Sequence, residues 1–450
     1  MKGIKTRLSV LSFLEFAVWG SYLVSMGMFL GSAGMGPQIF WFYTVQGLVS
    51  LLMPGLVGII ADKWIPAQKM LSICHTIAAA FMIASGWYCL DTMGAGSVPE
   101  FSTLFTLYTV SVAFYMPTIG LNNSVAFNAL GKAGLDTVKD FPPIRVFGTV
   151  GFIVAELMVN FVALDSYIAT QTAEGTYQIV YGSTTLQHSY LQFFASGIFS
   201  ILMAIYSLTM PNCPVNKGGN KVSLSEALGL NAFRLFKDKK MAIFFIFSML
   251  LGVSLQLTNS YGTPFINQFK EAGFTDWFSS NPTFLISISQ CSEALCILGV
   301  GLCLKRFGIK GVMMMAMFAW VLRFGLFGIG TTEGFGVITL ILSCIVYGVA
   351  FDFFNVAGGI YVDTQVNQSM RSSAQGLFMM MTNGIGASLG TVIAGKYVIN
   401  KLVEAPGLDA TQKLAGYHES WLIFAAYALV VFVLFYFCFK TPAKEEKLTR

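Results

Sequence analysis

Residues 335–359 read FGVITLILSCIVYGVAFDFFNVAGG, a long apolar run in which Asp352 is the only charged side chain. A helix needs about 20 apolar residues to cross the hydrocarbon core of a bilayer. This run is long enough to be a membrane span, and others like it recur along the chain. We predict an all-α membrane protein with twelve transmembrane helices, which we number as spans in chain order: 8–30, 38–61, 70–91, 102–126, 145–164, 189–210, 241–264, 282–303, 312–330, 335–359, 374–398 and 419–439.

The composition of the 450-residue chain excludes an ordinary soluble protein. Apolar residues make up 55% of it and charged residues only 11%, and the mean hydropathy is +0.68. Soluble domains are usually about 25% charged, so most of this surface must face lipid. The net charge of +5 is modest, and no nucleic-acid partner is expected.

The amino terminus and the cysteines each have a simple interpretation. The basic segment Met1–Arg7 precedes an apolar run that continues to about Leu30, which is longer than the apolar region of a signal peptide. We therefore predict an uncleaved first span. The eight cysteines and three histidines lack the spacing of a metal site. The sequence predicts no metal, no cofactor and no catalytic residue.

The basic residues are distributed unequally between the two sides of the membrane. Most of the 27 Lys and Arg residues fall on the side that holds both termini of a chain with twelve spans. The loops on the other side contain only Lys270, Lys401 and Lys413. Because cytoplasmic loops are enriched in basic residues, we predict that both termini are cytoplasmic.

The longest basic loop divides the chain into two parts. We predict an amino-terminal six-helix half at 1–210, a cytoplasmic central loop at 211–240 and a carboxy-terminal six-helix half at 241–450. A short internal repeat supports this division. GIIADK at 58–63 lies at the end of the second span and GLCLKR at 301–306 at the end of the eighth, and both begin with Gly and end with a basic residue. Two parallel six-helix repeats are typical of the major facilitator fold.

Several ionisable side chains lie inside the predicted spans. A charge within the hydrocarbon region costs several kcal/mol, and such residues usually have a functional role. They therefore mark the first candidates for a transport pathway. The six residues are Glu15, Arg145, Glu156, Glu293, Arg323 and Asp352.

Polar and aromatic residues form stripes at helical spacing on four spans. Residues three or four apart share a face of a helix, and lipid cannot satisfy their hydrogen bonds, so these faces should point into the bundle. The alternative is polar contact that only holds helices together. The stripes are Arg145, Thr149, Phe152 and Glu156 on the fifth span, Gln256 and Asn259 on the seventh, Gln290 and Glu293 on the eighth, and Tyr347, Phe351 and Asn355 with neighbouring Asp352 on the tenth.

The chemistry of these stripes suits a polar, uncharged and partly aromatic cargo. Amides and carboxylates can bond sugar hydroxyls, and aromatic rings can stack on a base. A buried carboxyl group can also carry a proton. We predict that Glu293 and Asp352 are the proton-coupling pair. Arg323 is either a counter-ion to one of them or a structural residue.

Several longer strings resemble the bacterial nucleoside:proton symporters of the major facilitator superfamily, and the resemblance runs from about Leu11 to the twelfth span. Strings of this length are specific. They are ADKW at 61–64, DFPPIRVFGT at 140–149, KMAIFFIFSMLLG at 240–252, SISQCSE at 287–293, VYGVAFDFFN at 346–355 and SAQGLFMMMTNG at 373–384.

The resemblance implies proton-coupled nucleoside uptake by alternating access across a bacterial inner membrane, with nucleoside and proton as the partners of a lipid-embedded monomer. Two residues depart from the family pattern. Glu15 stands where a neutral Gln is expected, and Glu156 has no counterpart there. The outward loop at about 165–188 is longer than usual. The implied substrate-binding residues are Arg145, Thr149, Phe152, Gln256, Asn259, Gln290, Glu293, Tyr347, Phe351 and Asp352.

Other functions are less well supported by the sequence. A transport ATPase would need a phosphate-binding loop, but at 390–397 Tyr397 replaces the required Ser or Thr. An intramembrane protease would need a Ser/His pair or a zinc motif, and neither is found. The alternatives that stay open are a major-facilitator carrier of a sugar or another polar cargo, a drug efflux carrier, and a non-transporting nutrient sensor.

Overall fold

Helices account for most of the computed structural model. The chain folds as two compact units, Met1–Leu228 and Gly229–Arg450. Much of the predicted central loop, at 216–229, lies outside the described residues, as do residues 441–450. The division at 211–240 therefore stays a prediction. The structure describes residues 3–172, 176–215, 230–367 and 370–440.

The amino-terminal unit contains the first six spans. The first is interrupted by a turn at 21–25, and the helix that forms the fifth begins at Thr137, well before the predicted 145. Pro142 and Pro143 lie in the second turn of that helix, where each lacks the N–H that would donate to the carbonyl oxygen four residues earlier. The helices are Ile4–Gly20, Met26–Leu30, Ile39–Lys63, Ala67–Gly94, Phe101–Lys132, Thr137–Phe161 and Leu191–Ser207.

The carboxy-terminal unit contains the other six spans. The seventh is broken at Gln256, and the eleventh includes two π-helical segments, Met380–Gly386 and Ala394–Ile399. The other helices of this unit are Lys239–Leu255, Leu257–Glu271, Trp277–Ser280, Pro282–Ile329, Gly336–Gln365, Arg371–Met379, Ala387–Ile393, Asn400–Leu402 and Ala410–Cys438.

The helices agree with the predicted number of spans. Within the described chain, nine helices are long and apolar enough to cross a membrane. One of them, Pro282–Ile329, supplies both the eighth and the ninth span because it turns at Gly308, whose φ of 69° favours glycine. The shorter Ile4–Gly20 and Leu191–Ser207 provide the first and sixth spans.

A β-hairpin occupies the long loop at about 165–188, between the fifth and sixth spans. Strands Ala163–Gln171 and Tyr177–Thr185 pair antiparallel, with Tyr167 opposite Tyr181. The rings of these two tyrosines lie 5.0 Å apart. Strands were not predicted here, although the segment is rich in the β-branched and aromatic residues that favour them. The hairpin is a small addition to an otherwise helical fold.

Glycines bring the first and fifth spans into close contact. A Cβ atom added to Gly20 would lie 2.3 Å from the carbonyl oxygen of Phe152, and one added to Gly151 would lie 2.1 Å from that of Phe13. Neither position has room for a side chain. The two backbones therefore touch directly, which fixes the stripe of the fifth span against the first.

The seventh and eleventh spans meet in the same way. A Cβ atom on Gly252 would lie 2.3 Å from the carbonyl oxygen of Thr382, and one on Gly386 would lie 2.4 Å from that of Met249. Small residues allow such close approach in membrane helices. This contact holds the seventh span, which bears Gln256 and Asn259, in a fixed position within its unit.

Candidate functional site

An aromatic pair lies on the tenth span. Tyr347 and Phe351 are one helical turn apart and stack with ring centroids 5.7 Å apart and planes inclined by 16°. Trp320 of the ninth span packs edge-on against Tyr347 at 5.8 Å. Tyr347 is buried and Phe351 is half-buried. Part of the surface of Phe351 is therefore accessible.

Two carboxyl groups lie beside this pair. The eighth and tenth spans touch at Gly348, where an added Cβ would lie 2.6 Å from the backbone of Ser292. Glu293 follows Ser292, and Asp352 lies one turn after Gly348, so the charges of the two carboxylates interact. Asp352 is only 5% exposed, and its Oδ2 has no hydrogen-bond partner in the described part of the chain.

Amide side chains line the neighbouring spans. The break in the seventh span exposes Gln256, whose Oε1 accepts a hydrogen bond of 2.9 Å from Nδ2 of Asn259. Both residues are half-buried. On the eighth span Gln290 is buried, and its Oε1 finds no partner among the described residues. The amides of Gln256, Asn259 and Gln290 can therefore form hydrogen bonds with a ligand.

Arg323 supports the aromatic pair. It is 1% exposed, and its guanidinium lies 4.6 Å from the ring centroid of Tyr347. Its Nη1 donates to the carbonyl oxygen of Ser343 at 2.8 Å, and its Nε donates to Thr258 at 3.3 Å. Of the two roles left open by the sequence, these contacts favour the structural one.

In the amino-terminal unit the stripe of the fifth span faces aromatic residues of the first. The guanidinium of Arg145 lies 4.0 Å from the ring centroid of Phe16. Phe152 meets the ring of Trp19 edge-on at 6.2 Å. Thr149 lies between them on the same face and is half-buried.

Trp19 was not predicted as part of the site. Its Nε1 donates to Oε1 of Gln46 at 3.3 Å, and Nε2 of Gln46 donates to the hydroxyl of Tyr108 at 2.7 Å. The sequence signal was weak because Trp19 is uncharged and lies in an apolar run. Its place opposite Phe152 depends on the glycine contacts between the two spans.

The two departures from the family pattern, Glu15 and Glu156, are both fully buried, but in different surroundings. Glu15 contacts His75 and Thr118 at 3.0 and 2.6 Å. Neither carboxylate oxygen of Glu156 has a hydrogen-bond partner among the residues that the structure describes.

Comparison with known proteins places the chain in a family. The model of the family described as "Nucleoside H+ symporter" matches residues 1–444. The chain belongs to the nucleoside H+ symporter family. It is therefore a membrane transporter that carries nucleosides together with protons, and the resemblance stated from the sequence is confirmed.

Relatives of this nucleoside H+ symporter are similar over their whole length. The xanthosine permease of Escherichia coli (strain K12) is 41% identical, covering 99% of this chain and 98% of the relative. Nucleoside permease NupG of the same strain is 40% identical, covering 97% and 96%.

Solved structures give the same result for the fold. Two crystal structures of nucleoside transporter NupG, one of a point mutant, match with TM-scores of 0.85 and 0.81 at 38% identity. The mutant match covers 97% of this chain and 100% of the solved one, and the other covers 98% and 100%. The all-α membrane fold of the major facilitator type is confirmed.

The predicted substrate residues of this symporter fall into two groups, one in each unit. In the carboxy-terminal unit, contacts between the seventh, eighth, ninth and tenth spans gather the amides, the carboxylates and the aromatic pair. In the amino-terminal unit, Arg145, Thr149 and Phe152 share one face of the fifth span. Their roles in binding stay predictions.

Proposed function

We propose that ten residues of this nucleoside H+ symporter contact the nucleoside during transport, and that Glu293 and Asp352 carry the proton. The observation that carries the proposal is the stacked pair Tyr347–Phe351 beside two interacting carboxyl groups. The proposed binding residues are Arg145, Thr149, Phe152, Gln256, Asn259, Gln290, Glu293, Tyr347, Phe351 and Asp352.

The proposed division of work follows from the chemistry of each group. The flat face of Phe351 stacks on the nucleobase, since an aromatic ring can stack on any of the bases. The amides of Gln256, Asn259 and Gln290 bond the sugar hydroxyls and the edge of the base. Together they select a neutral, polar and partly aromatic cargo.

The proposed coupling rests on the repulsion between two neighbouring carboxylates. Two neighbouring carboxyl groups in a site of low polarity cannot both be ionised without a large free-energy cost. A proton on Asp352 or Glu293 removes that repulsion, and a neutral carboxyl can both donate and accept hydrogen bonds. Protonation therefore prepares the site for nucleoside, and loss of the proton favours release.

We also propose the setting of this transport. The distribution of Lys and Arg supports cytoplasmic termini in a bacterial inner membrane. Uptake is then inward and driven by the proton gradient. The monomer is the proposed functional form, since each of the two units of the chain is compact and has its own buried core.

The test is uptake of labelled uridine and adenosine into transporter-deficient cells, with and without a protonophore. The wild type should concentrate nucleoside, and the protonophore should abolish concentration. Asp352→Asn should reduce the accumulation ratio to about one. Glu333→Gln is the matched control, because Glu333 is an exposed carboxylate in the same unit.

Each result has a separate meaning. Full accumulation by Asp352→Asn would overturn its assignment as the coupling residue. In Glu293→Gln, coupling that is retained would leave Asp352 as the sole candidate. Uptake of a labelled sugar in place of nucleosides would favour the rival cargo, and binding without uptake would favour a sensor.

A further inference from the structure

A buried acid–base pair links four spans of the amino-terminal unit. Oε2 of Glu15 on the first span lies 3.0 Å from Nε2 of His75 on the third. Thr118 of the fourth span and Ser200 of the sixth complete the cluster. None of these four side chains is more than 1% exposed, so the protons of the cluster can be counted from its contacts.

The first step concerns the serine. Oγ of Ser200 lies 3.0 Å from the carbonyl oxygen of His75 and 2.9 Å from Nδ1 of the same residue. When the hydroxyl donates to the carbonyl oxygen, Nδ1 of His75 donates to the hydroxyl, and when the hydroxyl donates to Nδ1, the ring proton lies on Nε2.

The second step concerns the acid. Nε2 of His75 faces a carboxylate oxygen of Glu15 at 3.0 Å, so a proton lies between these two atoms. If that is the only ring proton, the buried pair has a net charge of −1. If Nδ1 is protonated as well, one extra proton makes the pair neutral.

The titratable and charged groups around the pair come from the third, fourth and fifth spans. The third and fourth spans present Cys74 and Tyr115 to Glu15, and the Tyr115 hydroxyl is already donated to the Glu15 carbonyl oxygen at 2.9 Å. The fifth span bears Arg145 and Glu156. The sixth has no charged side chain over Leu191–Ser207. Without its proton the pair would contain a buried negative charge, which is costly in this medium.

The pair is also connected to the predicted substrate residues of its unit. The ring of Tyr115 lies 6.0 Å from that of His75 and 6.1 Å from that of Trp19. Trp19 lies one turn after Glu15 and contacts Phe152. A change in the charge of the pair would therefore act on the side chains that hold Trp19 against the fifth span.

We propose that Glu15 and His75 form a second proton-binding site, in the amino-terminal unit, which takes up and releases a proton during transport. This site is distinct from Glu293 and Asp352. Each unit of the symporter then has its own protonatable group. The number of protons moved per nucleoside depends on both.

The direct test is ¹⁵N NMR of histidine in the full-length protein. The chain has only three histidines, so His188→Gln and His418→Gln assign the signals of His75 by subtraction. In the wild type, the ¹⁵N signals of the His75 ring, including that of Nε2, should change with pH as the pair takes up a proton. In Glu15→Gln the ring should stay neutral, because the amide of Gln donates to Nε2. An unchanged wild-type Nε2 signal would overturn the proposal.

The functional test is the proton-to-nucleoside ratio in proteoliposomes, from the proton uptake that accompanies a known nucleoside flux. Glu15→Gln and His75→Gln should transport nucleoside with up to one proton fewer per molecule. His418→Gln is the matched control and should keep the wild-type ratio. Unchanged ratios in both variants would overturn the proposal and leave the pair as a purely structural link.

A variant that fails to fold does not end the test. Ser200→Ala keeps both members of the pair and removes only the hydroxyl beside Nδ1, so the signals of His75 should still change with pH in this variant, and signals that do not change would contradict the proposal. The outcome is also independent of the carboxy-terminal assignment. If Asp352→Asn kept full coupling while Glu15→Gln lost a proton, Asp352 would be excluded and Glu15 retained.

Discussion

The buried acids of the two units differ in how fully the protein itself satisfies them. Glu15 is fully buried, and both of its carboxylate oxygens have partners, His75 and Thr118. Asp352 is almost as buried, yet its Oδ2 has no partner in the described chain and its neighbour Glu293 is another acid. The partners of Glu15 stabilise the fold and hold the proposed proton site in place, whereas the missing partner of Asp352 leaves a free-energy cost that a proton or a ligand can remove.

The largest expected effect is a difference in stability between variants of Glu15 and Glu156, two equally buried acids of the amino-terminal unit. Glu15→Leu leaves the His75 ring facing a hydrocarbon and should destabilise the unit by about 3–5 kcal/mol. Glu156→Leu removes a carboxyl without partners and should be neutral or stabilising by about 1–4 kcal/mol. The measurement is thermal unfolding of the purified protein in detergent, where the two variants should shift Tm in opposite directions or by clearly different amounts.

The same measurement extends to the carboxy-terminal unit. Asp352→Leu should behave like Glu156→Leu, since it removes one of two repelling acids. A fall in Tm as large as that of Glu15→Leu would contradict the distinction between satisfied and unsatisfied acids. Glu333→Leu, at an exposed position, gives the background effect of the substitution.

A second effect tests the aromatic pair next to the unsatisfied acids. Phe351→Leu keeps an apolar side chain but removes the stacking face, which should weaken nucleoside binding by about 1–3 kcal/mol. Isothermal titration with uridine or adenosine measures the change in Kd. Phe335→Leu, on the exposed residue that precedes the same helix, should leave Kd unchanged. Equal Kd values for wild type and Phe351→Leu would remove Phe351 from the site.

A third and smaller effect concerns the support of that pair. Arg323→Lys keeps the charge but loses the planar group above Tyr347 and one of its two hydrogen bonds. Nucleoside affinity should fall by about 0.5–2 kcal/mol, with proton coupling retained. Arg234→Lys, at an exposed position of the same unit, is the control. Loss of coupling in Arg323→Lys would instead indicate a counter-ion to the acids.

The smallest expected effect concerns the hairpin between the fifth and sixth spans. The corresponding connection of the other unit, between the eleventh and twelfth spans, is a short loop after Leu402. Tyr181→Ala removes the cross-strand contact with Tyr167, a pair of a kind that contributes about 0.2–1 kcal/mol. Hydrogen exchange of the Ile168 and Val180 amides should become faster, while uptake is unchanged. A large loss of uptake would give the hairpin a role in transport.

The fold was largely predictable because membrane spans have a simple physical signature. Length and apolarity located all twelve, although some ends moved, as at Thr137, and two spans are interrupted within their length. The hairpin at 163–185 was missed because the segment was interpreted only as a loop between two spans. The interruption of the seventh span at Gln256 was missed because the length of an apolar run does not show where its backbone departs from a helix.

The candidate site was predictable where residues share one helix and not where they meet across helices. Helical spacing gave the pair Tyr347–Phe351 and the stripe from Arg145 to Glu156. It could not give Trp19 opposite Phe152, since that contact depends on the packing of two distant segments. For the same reason the sequence did not place His75 against Glu15.

The direct backbone contacts at glycines occur at matching positions in the two units. Gly20 and Gly151 join the first and fifth spans, and Gly252 and Gly386 join the seventh and eleventh in the same manner. The second set lies about 230 residues after the first, as expected for an ancestral six-helix segment that was duplicated and fused. The two copies kept the positions where no side chain fits, and diverged in the acids that they bury.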